Sequence, residues 1–67
     1  MRKRLIDPGI PISDFLKGFT FVEMRVYRND VVIVLQDPNT LREYELVIDA
    51  VVIPDGLPIV GVRLYEA

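Results

Sequence analysis

The sequence predicts a mostly β domain of the α+β class: a four-stranded antiparallel meander over 20–28, 31–36, 42–53 and 57–65, with an N-terminal extended segment and a short helix over 13–18 covering one face. Two observations carry this. From Thr20 onward, runs rich in β-branched and aromatic residues (TFVEMRVY, VVIVLQ, LREYELVIDAVVI, LPIVGVRLYEA) are separated by the turn strings RND, DPNT and PDG. The registers that those turns impose also bring apolar residues opposite apolar residues, a demanding test because a one-residue slip would send every side chain to the other face.

The N-terminal third supplies the lid. Asp7-Pro8-Gly9 is a turn and Pro11 keeps the chain extended. Ser13 is the expected N-cap of a helix through Asp14, Phe15, Leu16 and Lys17, stopped by Gly18. A helix this short persists only by docking Phe15, Leu16 and Phe19 on the sheet. Leu5, Ile6, Ile10 and Ile12 either complete that lid, or RKRLI adds a fifth strand at an edge; the sequence leaves both open. The whole forms one domain, 1–67, divided into an arm and helix over 1–19 and a β-meander over 20–67.

Each turn fixes a register. Asn29-Asp30, as a two-residue type I′ loop, sets Val26 opposite Ile33 and Met24 opposite Leu35. Asp37-Pro38-Asn39-Thr40 starts a type I turn, and a loop over 38–41 pairs Asp37 with Arg42, Leu35 with Tyr44, Ile33 with Leu46 and Val31 with Ile48. That loop asks Leu41 for a left-handed conformation that leucine disfavours. Pro54-Asp55-Gly56 closes a bulged three-residue hairpin that pairs Ile53 with Leu57, Ala50 with Val60, Ile48 with Val62 and Leu46 with Leu64. Gly61, inside the last strand, reads as a second bulge, with a close backbone approach as the alternative. The expected core face is then Val22, Met24, Val26, Val31, Ile33, Leu35, Tyr44, Leu46, Ile48, Val60, Val62 and Leu64.

The opposite, outer face carries the expected functional surface. VVIVL, from Val31 to Leu35, is apolar on both sides of the sheet, and a chain of 67 residues has material to cover only one. A domain this small has a marginal core, and with no Cys and no His neither disulfides nor a tetrahedral zinc site can reinforce it, which leaves oligomerisation or dense packing. Arg25, Tyr27, Val32, Val34, Glu45, Val47 and Arg63 are therefore the expected partner-binding residues, apolar at the centre and charged at the rim. The partner is another copy, in a two-fold dimer, or another protein. The competing account is a monomer in which the stems of Arg25 and Arg63 shield the valines.

Chemistry is sparse. Without His or Cys the usual nucleophile–base pairs are absent, Ser13 is accounted for by capping, and no Gly-rich phosphate loop exists, so no catalytic, metal or cofactor residue is assigned. Glu23, Glu43 and Glu45 share the outer face and form the one carboxylate group that a metal or an acid–base site would use, yet a flat solvated surface gives no reason for shifted acidity. Arg2-Lys3-Arg4 raises nucleic-acid binding as the alternative function, with Tyr27, Tyr44 or Tyr65 as stacking platforms, against a net charge of −2 and three outer-face glutamates. No apolar run is long enough for a membrane helix, and the basic start lacks the apolar stretch of a secretory signal. The expectation is a non-catalytic, cytoplasmic interaction module, a homodimerising accessory or regulatory protein.

Overall fold

The computed structural model describes residues 3–52 and 58–67. Strand β1 (Arg4–Leu5) is followed by helix α1 (Ile12–Phe15) and then β2 (Thr20–Val26), β3 (Asp30–Gln36), β4 (Glu43–Val52) and β5 (Pro58–Glu66). They form one antiparallel sheet in the order β1-β5-β4-β3-β2. The last four strands are thus a meander of sequence neighbours, as the turn strings require. The fifth-strand option is the one realised: Arg4 pairs with Glu66 and Leu5 with Tyr65, and the Ile6 N–H donates to the Leu64 carbonyl at 3.0 Å.

The two C-terminal registers are those that the turns dictate. Leu35 faces Tyr44, Ile33 faces Leu46 and Val31 faces Ile48, while Leu46 faces Leu64, Ile48 faces Val62 and Ala50 faces Val60. The 53–57 hairpin and the side chain of Val60 lie outside the described residues. At the 38–41 loop, Asp37 N–H donates to the Arg42 carbonyl (2.9 Å), and the Asp37 carboxylate accepts from Asn39 N–H (2.9 Å). The cost falls where expected, on Leu41, whose φ is 63°. A left-handed conformation crowds the leucine Cβ against backbone, and the side chain is two-thirds exposed, so little burial compensates. Leu41→Gly should therefore raise stability by about 0.5–1 kcal/mol, read as a higher urea midpoint.

The first hairpin departs from expectation. Val26 faces Val31 and Met24 faces Ile33, two residues from the expected register. The loop is Arg28-Asn29, closed by Tyr27 N–H donating to the Asp30 carbonyl (2.8 Å), and neither loop residue takes the positive φ that a type I′ turn requires. A slip of two preserves the faces, so the pattern of apolar contacts could not reveal it. The bulge is also elsewhere. Gly61 faces Asp49 in unbroken register with open space above its Cα, whereas the β2–β3 register shifts between Phe21 and Glu23. That shift sets Phe21, in place of Val22, opposite Leu35 on the lid face.

The helix cap lies two residues earlier than its sequence signal at Ser13. Pro11 occupies the cap position, where its carbonyl accepts from Asp14 N–H (2.9 Å) and Phe15 N–H (3.0 Å), and Ser13 lies inside the helix with no capping bond. Proline's fixed φ near −53° presets the entry, so a side-chain cap adds little. The helix ends at Phe15, with Leu16 as its C-cap, so Gly18 (φ 84°) closes the turn after it and does not stop the helix as expected. Phe15, Phe19 and Tyr44 then form a triangle of rings with centroids 5.4–5.5 Å apart, edge-on between Phe15 and Tyr44. Burial first, and then the neighbouring Glu66 carboxylate, push the Tyr44 phenol above its ordinary range. Tyr44 is neutral in that state, so its contribution is intact below about pH 10 and is lost as pH rises through the raised value. Tyr44→Phe should accordingly lose less stability than the parent above pH 10, in denaturant titrations repeated across pH.

Burial is distributed differently from the expected core. On the lid face Leu64 (1% exposed) and Tyr44 are buried, Val31, Ile33, Leu35, Leu46 and Ile48 are half-buried, and Phe21, Met24, Val26 and Val62 are exposed; Val22, displaced at the bulge, is exposed as well. The reason is reach. A four-residue helix and its flanks sit over Tyr44 and β5, and they leave the β2 side of the same face uncovered.

Candidate functional site

The outer face is assembled from alternate residues of β2, β3, β4 and β5. Arg25 faces Val32, which faces Val47, which faces Arg63; Glu23 faces Val34, which faces Glu45, which faces Tyr65. The seven residues expected to meet a partner do share this side, with Tyr27 at its end. Its centre, however, is closed by the chain itself. Val32, Val34 and Val47 are 3–8% exposed and pack together with Tyr65 against them.

The cover is made of long side chains lying over short ones. Arg25, on β2, reaches Glu45 on β4 (Nη2 to Oε2, 3.5 Å), so its stem crosses β3 above the valines. Lys3 reaches the same carboxylate from the N-terminal arm (Nζ to Oε1, 2.9 Å). Glu45 is itself buried, and two cations make that tolerable; an isolated carboxylate there would cost several kcal/mol. Burial opposes the Arg25 charge, yet the Tyr27 phenol and the Glu23 and Glu45 carboxylates outweigh it and hold the guanidinium above its usual range. The Arg25 Nε makes no hydrogen bond, since Glu23 Oε1 stands off at 3.6 Å. Arg63 turns outward to pair with Asp49, with its guanidinium 6.0 Å from the Tyr65 ring centroid. The shielding role expected of two arginines is thus shared by Arg25, Lys3 and Tyr65.

Between these groups is a groove of about 310 Å³ lined by Lys3, Arg25, Tyr27, Asp30, Val32, Glu45, Val47 and Tyr65. Its cations are spent on its own anions. Among the described residues no three acidic side chains are grouped to hold a metal ion, and of the outer-face glutamates Glu23 and Glu45 both face Arg25. In the basic arm, Lys3 pairs with Glu45 at 2.9 Å and Arg4, largely exposed, with Glu66 at 3.3 Å, while Arg2 lies outside the described residues. Among the described residues no helix is long and apolar enough to cross a membrane.

The uncovered apolar surface is on the other face, beside the free edge. Among the described residues, strand β2 has β3 on one side and no strand on the other, and Phe21, Met24 and Val26 are 56–69% exposed. These three project on the lid face next to Leu35, Ile33 and Val31. The alternation in TFVEMRV was the available signal. It reads as a strand with an apolar side, but says nothing about whether a lid reaches that far. A scan against protein-family models finds no match for this chain, and comparisons with curated proteins and with solved structures find none either.

Proposed function

We propose that this protein is a non-catalytic protein–protein interaction module that self-associates, an accessory or regulatory protein of the cytoplasm whose working form is a homodimer. The observation that supports the reading is the pairing of an unpartnered seven-residue edge strand with a row of exposed apolar side chains, Phe21, Met24 and Val26. Exposed apolar area of this kind beside a polar rim favours association, and an edge strand offers unpaired backbone groups as well. The outer face, with its valines closed over, contributes to this reading through its charged rim, chiefly Arg25.

The test is solution mass by light scattering over a concentration series. The expected result is a concentration-dependent rise to twice the chain mass that then stops. A chain that stays monomeric up to its solubility limit would overturn the proposal.

A further inference from the structure

Resting on that self-association, we infer that two copies join edge to edge through β2, antiparallel about a two-fold axis at Met24, making one continuous ten-stranded sheet from two five-stranded ones. The backbone points the right way for this. Tyr27 and Asp30 are a hydrogen-bonded pair, and in an antiparallel ladder such pairs alternate with non-bonded ones. Arg25 with Val32 and Glu23 with Val34 are then bonded pairs, and the N–H and C=O groups of Met24 and Val26 are directed away from β3, into the free edge.

Charge selects the register. Glu23 and Arg25 are two residues apart on the same side of β2, half-exposed, in 3.6 Å contact with one another. A two-fold axis at Met24 sets Glu23 of each copy opposite Arg25 of the other, twice. An axis at Arg25 sets arginine against arginine, and an axis at Glu23 sets glutamate against glutamate; like charges directly opposite destabilise a ladder. With the axis at Met24, the two Met24 side chains meet on the lid face and Val26 of each copy lies toward the bulged Phe21–Val22 segment of the other, so the exposed apolar rows merge. The bulge between Phe21 and Glu23 limits how far the ladder extends. Each copy has one β2 edge and a two-fold contact uses both, so association through this edge closes at two.

Cysteine placement separates this inference from the reading beneath it, because the chain has no cysteine of its own. Met24→Cys puts two thiols across the axis at a Cα separation of about 5.5 Å, within disulfide range, and mild oxidation should convert the population to a covalent dimer. Val26→Cys puts them about 13 Å apart along the strands and should not cross-link. Glu23→Arg, exposed and outside the valine cluster, should weaken dimerisation about tenfold by turning both favourable pairs into repulsive ones. A parent that dimerises while Met24→Cys fails to cross-link, or while Val26→Cys cross-links equally well, overturns the edge register and leaves self-association standing. Assembly that continues beyond two copies also overturns it, and a monomeric parent overturns both.

Discussion

Leu64→Ala should bring the protein close to its folding threshold. Leu64 is the most completely buried side chain among the described residues, set on β5 opposite Leu46 and beneath the arm whose Ile6 N–H donates to its carbonyl. Truncating a buried leucine removes transfer free energy and leaves a cavity, together about 2–5 kcal/mol. A chain of 67 residues has roughly 3–10 kcal/mol of stability in all. The variant should therefore show a urea midpoint lowered by at least about a fifth, and at the upper end a substantial unfolded population without denaturant. Val62→Ala, on the same strand and face but half-exposed, is the control and should cost less than about 1 kcal/mol. Equal losses at the two positions would show that the lid does not close over Leu64.

Val34→Asp should unfold the domain. The residue is 3% exposed between Glu23 and Glu45, so the new carboxylate would be buried, without a cation of its own, and flanked by two of like charge. An unpaired buried charge is among the few single changes that cost more than about 4 kcal/mol, a large part of what a domain of this size has. Circular dichroism should show loss of strand structure at 25 °C. The same substitution on an open docking surface would instead give a folded monomer, and a folded Val34→Asp chain of halved mass would restore the outer valines as the contact surface. The experiment thus decides between two faces of one sheet.

The strand layout was legible because each turn string is local. Asp37-Pro38 and the residues around it determine a hairpin without help from the rest of the chain, and the β3–β4 register follows to the residue. RND is weaker: Arg28-Asn29 and Asn29-Asp30 both make two-residue loops, and both keep Val26 and Met24 on the same side, so nothing in the pattern separates them. Burial was less legible still. Whether Val32 or Met24 is the drier residue depends on whether Arg25 spans a strand and whether a short helix reaches past Tyr44. Such distances are properties of assembled side chains, and a pattern of apolar and polar letters does not contain them. The seven outer-face residues were grouped correctly for the same local reasons, while the identity of their cover was not.

The strand order has a kinetic consequence. Pairing β2 with β3, β3 with β4 and β4 with β5 closes only short loops, but joining Arg4 to Glu66 spans 62 positions of the chain. Loop entropy and contact order place that closure last, so the segment carrying Lys3 and Ile6 should also be the first to detach in the native state. Hydrogen exchange should find the Ile6 amide less protected than the amides of β3. Each such opening would momentarily strip Glu45 of one of its two cations, leaving Arg25 alone to hold a buried carboxylate in place.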